Sequence, residues 1–219
     1  MGNMRRTIKL VGAAAALALC VLPFAPYAQA AFYGLPRALK AHVARVSFEV
    51  PSLAPMAFTR FCLKYRDDCE VRRMLAFRRG VALTAERWAE LVAVNRAVNR
   101  AIVPHRNEDG LAGEAWLVSP IAGDCNDYAV TKRHELLARG WPSHALVLAE
   151  VVIPSGEHHL VLVVRTRNGD VVLDNLSANV RSVSQPRYRW VRAQSPRHPN
   201  FWASVSVARP AVRTAMAER

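Results

Sequence analysis

Beyond its first thirty residues, the 219-residue sequence has no apolar stretch that approaches the roughly 20 residues needed by a membrane-spanning helix. It also lacks internal repeats and the Cys-x-x-Cys and His-x-x-x-His spacings that are typical of zinc sites. Acidic residues are scarce, with 17 Asp and Glu against 30 Lys and Arg. Because the basic residues are scattered and form no compact stripe, the pattern argues against nucleic-acid binding. We expect a mature chain without a membrane span and without a nucleic-acid partner.

The first thirty residues have the pattern of a signal peptide. Arg5, Arg6 and Lys9 precede an apolar run over residues 10–24, and Ala28-Gln29-Ala30 then offers a small-x-small cleavage site. We therefore expect residues 1–30 to be removed and the mature protein to be periplasmic or secreted. Loss of the three basic residues lowers the net charge from +13 to +10, which suits a protein that faces the anionic polymers of a cell envelope.

Apart from Cys20 in the leader, the chain has three cysteines. In an oxidising compartment Cys62 and Cys69, with six residues between them, can close a small loop, so we predict a disulfide there. Cys125 is then left as an odd thiol that needs an explanation. A buried, inert cysteine is common in proteins, so the count alone leaves its role open.

The remaining chain is long enough for one domain with its own core. Residues 31–60 are proline-rich and are predicted to be an irregular approach segment. Residues 61–205 are predicted to form the domain, and residues 206–219 a flexible tail.

A first helix is predicted after Thr84, which can cap it. Its apolar positions recur at three- and four-residue spacing as far as Ile102. The same face carries Asn95 and Asn99. Buried amides need hydrogen-bond partners, so we expect the two asparagines to hold a neighbouring loop; direct participation in a site is the alternative.

A second helix is predicted from Cys125 to about Arg139. Asp124 and Asp127 form a capping-box pattern at its start. Gly140 follows as the stop signal.

Short β-branched runs follow the helices and predict antiparallel strands at residues 145–153, 159–166, 170–173 and about 187–192. Asn168-Gly169 between two of these runs is a strong hairpin signal. With those two residues in the turn, Asp174 would face Val163, four residues from His159. Helices early in the chain and an antiparallel sheet later predict the α+β class.

Cys125 is the candidate nucleophile. Its place in the first turn of a helix favours thiolate, because unpaired backbone N–H groups and the helix dipole stabilise negative charge. A thiol nucleophile also needs an imidazole to take its proton and a carboxylate to orient that imidazole. His158 or His159 and Asp174 have the right chemistry, but each can also be an ordinary strand or turn residue. Metal binding by the two histidines and Cys125 has no supporting spacing.

The order and spacing of these motifs resemble the bacterial transglutaminase-like cysteine proteinases. The nucleophile segment reads Gly123-Asp124-Cys125-Asn126-Asp127-Tyr128-Ala129, and the other two segments read His159-Leu160-Val161-Leu162 and Leu173-Asp174-Asn175. The resemblance runs from about Phe61 to Trp202. It implies a papain-like, transglutaminase-like core in which the nucleophile begins a helix packed on an antiparallel sheet. It also implies Cys125 as nucleophile, His159 as base and Asp174 as orienting carboxylate, with a longer or bulged hairpin connection.

The implied function is thiol-dependent cleavage of a peptide bond in an envelope or surface protein through an acyl-enzyme. Transglutaminase-type amide transfer or crosslinking is the enzymatic alternative, since an amine can resolve the same intermediate in place of water. A non-catalytic module that binds calcium or a receptor is the other alternative, and the intact Cys, His and Asp argue against it. The expected partners are a protein substrate and a membrane receptor or inhibitor.

The resemblance also implies a calcium site beside the nucleophile. Acids that flank the cysteine help to bind calcium in characterised members of the family, and Asp124 matches one of them. Asn126 stands where those members carry a second acid, and an Asn can still offer a neutral oxygen ligand. The thiol chemistry itself requires no cofactor.

Overall fold

The computed structural model describes residues 44–70, 80–108 and 110–207. The predicted signal peptide, residues 31–43 of the approach segment and residues 208–219 of the predicted tail lie outside these ranges. Within them, no helix combines the length and the apolar character that a membrane crossing requires.

The described residues form helices and an antiparallel sheet, which confirms the α+β class. The helices are α1 (Met56–Lys64), α2 (Arg66–Cys69), α3 (Ala85–Ala101), α4 (Gly110–Gly113) and α5 (Cys125–Ala138). The strands are β1 (Val46–Ser52), β2 (Val103–Pro104), β3 (Ala122–Gly123), β4 (Leu146–Val152), β5 (His158–Thr166), β6 (Gly169–Asp174), β7 (Ser177–Ser182), β8 (Arg189–Gln194) and β9 (Trp202–Val207). A 3-10 turn at Ser143–Ala145 precedes β4.

Seven strands form one sheet in the order β1-β9-β8-β4-β5-β6-β7, and all neighbours are antiparallel. The sheet curls until the start of β1 reaches β6, where the Asp170 N–H donates to the carbonyl of Ala44 at 2.8 Å. β2 and β3 form a separate parallel pair that leads into α5.

The central strands are buried on both faces, which explains why their sequence is nearly continuous in apolar residues. Leu148, Leu162 and Leu173 belong to a core shared with the helices. Val161 and Val172 belong to a second core enclosed by the curled sheet. The sheet therefore separates two cores, and α5 packs on it at β5.

The prediction that residues 31–60 are irregular was wrong for the part that the structure describes. Residues 46–60 form β1 and the first half of α1. Pro51 falls where the pairing of β1 with β9 shifts register, between Phe48 and Pro51. A proline is tolerated on a bulged edge strand because it has no N–H to donate to a neighbour. The domain thus begins before residue 61.

The turn between β5 and β6 lies one residue earlier than predicted. Thr166 pairs with Gly169, so Arg167 and Asn168 form the turn. The Thr166 hydroxyl donates to the Gly169 carbonyl and accepts the Asn168 N–H, the latter at 3.2 Å. Gly169 adopts a φ of 111°, which a glycine accepts without steric cost.

This one-residue shift closes the gap that the sequence left between His159 and Asp174. Leu162 pairs with Leu173. Continuing this register by one residue places Asp174 opposite Val161. His159 lies two residues further along the same face, and diagonal neighbours of this kind lie within reach of long side chains. The expected longer or bulged connection is therefore not present.

The predicted helices are confirmed. Thr84 caps α3 by accepting the N–H of Arg87 at 3.3 Å. Asp124 and Asp127 form the capping box at the start of α5. In the structure a disulfide joins Cys62 of α1 to Cys69 of α2.

Replacing Leu162 by Ala should destabilise the protein by about 2–5 kcal/mol, because the side chain is fully buried in the central strand and its loss leaves a cavity. Leu53→Ala is the matched control, since Leu53 is 86% exposed and should change stability by less than about 0.5 kcal/mol. Urea unfolding measures both. Equal losses would contradict the assigned core.

Candidate active site

Cys125 is the first residue of α5, and the segment before it is held by the two acids of the capping box. Asp124 Oδ1 accepts the N–H of Asn126 at 2.9 Å, and Asp127 Oδ2 accepts the N–H of Asp124 at 3.0 Å. A Cβ on Gly123 would lie 2.2 Å from that carboxylate, so only glycine permits this close approach. The backbone at the nucleophile is thus fixed from both sides.

The surroundings of Cys125 favour its neutral form. Burial raises the pKa of the thiol to about 12, and the charges of Asp124, Glu114 and Glu157 act in the same direction. A backbone hydrogen bond from Leu160 opposes them. The expectation of a thiolate rests on the helix N-terminus alone, because burial and the carboxylates act against it. A base must take the proton when the thiol reacts.

His159 and Asp174 are hydrogen-bonded to each other inside the protein. His159 Nε2 lies 2.9 Å from Asp174 Oδ1, and both residues are buried. Because a carboxylate accepts, the proton of the neutral ring is on Nε2. Nδ1 is then the nitrogen that can accept a proton.

The structure places Cys125 next to the strand that carries His159. The backbone hydrogen bond to Cys125 comes from Leu160, the residue directly after His159. The Cys125 thiol is therefore beside the first residues of β5, where His159 is hydrogen-bonded to Asp174 at the end of β6.

His158 does not share this place. Its side chain is 64% exposed, and its Nδ1 lies 2.5 Å from Glu150 Oε1. Successive residues of a strand point to opposite faces, so only His159 faces Asp174.

Asp174 accepts hydrogen bonds on both carboxylate oxygens. The Leu176 N–H donates to Oδ1 at 2.9 Å, and the Tyr188 hydroxyl donates to Oδ2. Arg181 lies 3.5 Å from Oδ2. Burial acts to raise the pKa of Asp174, but the hydrogen bonds from His159 and Tyr188 and the charge of His159 lower it to about 2. Asp174 is thus a fixed negative charge at any physiological pH.

The two asparagines of α3 hold the backbone of this segment. Asn95 Oδ1 accepts the Asp174 N–H at 3.1 Å, and Asn95 Nδ2 donates to the Ser177 carbonyl at 2.8 Å. Asn99 Nδ2 donates to the Asp174 carbonyl at 2.9 Å. The expectation that these amides hold a loop is confirmed, and the loop is the one that carries Asp174.

The residues expected to bind calcium are arranged differently from a cation site. Asn126 directs its amide nitrogen, not its oxygen, at Glu114 Oε1 (2.6 Å) and Asp124 Oδ2 (3.3 Å). Calcium needs six to eight oxygen ligands. Within the described ranges no group of three or more His, Cys, Asp or Glu side chains is placed to hold a metal ion. As they are arranged, these residues do not fit calcium.

Lys132 lies on α5 two turns after Cys125 and is 1% exposed. Its ammonium is 5.8 Å from the centroid of the Tyr128 ring. Burial lowers the pKa of Lys132 to about 7, although the negative charge of Asp174 acts in the opposite direction. The helix thus buries a titratable amine behind the candidate site.

Sequence reasoning did not identify Tyr188, Arg181 or Glu114 as part of this region. Tyr188 and Arg181 come from the segments that follow Asp174, and no local motif links them to it. Glu114 lies in the loop before Cys125. Only the folded arrangement shows that these three side chains reach Asp174 or Asn126.

The described chain combines an antiparallel sheet, a free cysteine at a helix N-terminus and a buried, hydrogen-bonded His–Asp pair. The family model of the bacterial transglutaminase-like cysteine proteinases matches residues 49–210. The chain belongs to this family of cysteine proteases, and the resemblance seen in the sequence is confirmed.

Similar solved structures include LapG of Legionella pneumophila. The chain is 24% identical to it with a TM-score of 0.42, over 48% of this chain and 62% of that one. The calcium-bound form of the same protein aligns at 22% identity with a TM-score of 0.47, over 57% of this chain and 72% of that one. The first alignment thus spans less than two thirds of the LapG chain. No curated protein matches the sequence.

Lys132 should make stability depend on pH. Its pKa is about 7 in the folded protein and about 10.4 when unfolded, so between these values the unfolded chain binds more protons and folding strengthens as pH rises. We expect the free energy of unfolding of the wild type to rise by about 2 kcal/mol relative to that of Lys132→Met from pH 7 to pH 9.

Urea unfolding at both pH values measures this difference, and Lys64→Met, at an exposed position, is the matched control. A difference that stays constant with pH would contradict the assignment of a neutral amine to Lys132.

Proposed function

We propose that the protein is an exported cysteine protease that cleaves a protein of the cell envelope through an acyl-enzyme on Cys125. The observation that carries the proposal is the buried hydrogen bond of 2.9 Å between His159 and Asp174, beside a free cysteine at a helix N-terminus. Thiol, imidazole and carboxylate in this order form the arrangement that nucleophilic acyl transfer requires.

In the first step His159 Nδ1 takes the proton of the Cys125 thiol while the sulfur attacks a peptide carbonyl. Asp174 holds the ring by its Nε2–H and stabilises the imidazolium that forms. The tetrahedral intermediate then collapses, the C–N bond breaks, and His159 gives its proton to the leaving amine. The product is a thioester on Cys125.

In the second step water attacks the thioester, and His159 accepts a proton from that water. The S–C bond breaks, the thiol regains its proton, and a carboxylic acid leaves. The Asn126 N–H is already bonded to Asp124. We therefore assign the N–H of Cys125 itself as the helix-terminal donor to the oxyanion.

Three features support export. The first thirty residues have the pattern of a signal peptide. A disulfide joins Cys62 to Cys69, and disulfides persist in oxidising compartments. The high positive charge suits an envelope with anionic polymers.

Alkylation of Cys125 tests the role of His159. Because the thiol is neutral at rest, iodoacetamide labelling near pH 7.5 should depend on the base, and His159→Ala should slow it at least about 10-fold. His158→Ala, which removes the neighbouring histidine that binds Glu150, should leave the rate within about twofold. Mass spectrometry of the Cys125 peptide gives the rates. Equal labelling of wild type and His159→Ala would overturn the proposal.

The substrate and the type of reaction need a second experiment. Envelope proteins should be compared between cells with the wild type and cells with Cys125→Ser, and the wild-type cells should show a new chain terminus that the variant lacks. Repeating the cleavage with an added primary amine separates the outcomes. A free carboxylate at the new C-terminus supports hydrolysis, whereas an amide there shows transfer.

A further inference from the structure

Three carboxylates crowd the start of α5, in a chain that otherwise has an excess of basic residues. Asp124 caps the helix, Asp127 completes the capping box, and Glu114 reaches this place from the preceding loop. The charges of Asp124 and Glu114 raise the pKa of Asp127, after burial as the main cause. The loop stays packed on the helix only if hydrogen-bond donors or a cation offset this repulsion.

Backbone groups satisfy part of the cluster. Asp127 Oδ1 accepts the N–H of Leu117 at 2.7 Å, and Asp124 Oδ1 accepts that of Asn126 at 2.9 Å. Glu114 Oε1 accepts the indole N–H of Trp116 at 3.0 Å. These bonds leave Asp124 and Glu114 facing each other across the side chain of Asn126.

The side-chain amide of Asn126 fills that space. Its Nδ2 carries two N–H donors, and it lies 2.6 Å from Glu114 Oε1 and 3.3 Å from Asp124 Oδ2. Asn126 is 9% exposed. The reverse orientation of the amide would place its oxygen against two carboxylates, so the hydrogen bonds fix which atom points inward.

We infer that the Asn126 amide takes the place of a bridging cation at the nucleophile helix, so that this protein folds and keeps Cys125 in place without calcium. An amide donates two hydrogen bonds to two carboxylates, whereas a divalent cation would need oxygen atoms directed at it. An aspartate at position 126 has no donor. It adds a third negative charge to Glu114 and Asp124, so the repulsion destabilises the variant until a cation binds or a carboxylate takes up a proton.

The inference is tested by thermal unfolding of the full mature chain in EGTA and in millimolar calcium, with purified wild type and Asn126→Asp. Wild type should change its Tm by less than about 1 °C between the two conditions, whereas the variant should unfold at least about 4 °C lower in EGTA and recover in calcium. Asn200→Asp adds the same charge in the exposed loop between β8 and β9 and should respond to neither condition.

The rate of Cys125 alkylation gives a second measure that depends on the proposed function. EGTA should leave the wild-type rate unchanged and slow that of Asn126→Asp several-fold, with recovery in calcium. The Tm does not depend on the role of Cys125, so its result stands even if the protease mechanism fails.

Two outcomes would overturn the inference. One is a saturable rise of the wild-type Tm with calcium, which would show that the wild-type protein binds calcium at millimolar concentration. The other is an Asn126→Asp variant as stable in EGTA as the wild type, which would show that the amide bridge contributes no stability. If the variant does not fold under either condition, the change of the wild-type Tm with calcium still tests the inference.

Discussion

Asp174 is a buried carboxylate whose position depends on three other parts of the chain. Its backbone is held by Asn95 and Asn99 of α3, and its side-chain oxygens accept from His159 on β5 and from Tyr188 just before β8. An ionised carboxylate in the protein interior is tolerated only when such donors replace water. The hydrogen bonds from His159 and Tyr188 and the charge of His159 lower the pKa of Asp174 to about 2. The orientation of the His159 ring, and with it the proposed base, therefore depends on the folded domain as a whole.

Asp174 and Cys125 differ in the charge that their surroundings favour. Asp174 is kept negative by hydrogen bonds, whereas burial and nearby carboxylates keep Cys125 neutral. Lys132, buried on the same helix as Cys125, has a pKa near neutrality and does not supply a dependable positive charge to stabilise a thiolate. In the proposed mechanism, proton transfer to His159 makes the sulfur reactive.

Much of this arrangement could be predicted from local sequence. The helices α3 and α5 follow from caps and periodicity, and Cys125 is singled out because the other two cysteines of the described chain pair with each other. The β5–β6 register could not be predicted, because Asn168-Gly169 is a strong hairpin signal while Thr166 binds both ends of a turn placed one residue earlier. Tyr188 was missed since tertiary packing alone brings it to Asp174.

That one-residue shift of the turn has a chemical consequence. It moves the strand pairing by two residues and keeps the faces, so with the predicted turn Asp174 would have been opposite Val163, four residues from His159 on the same face. With the observed pairing the two are diagonal neighbours. In the proposed mechanism, charge separation arises when a substrate is attacked, and Asp174 stabilises the imidazolium at that stage.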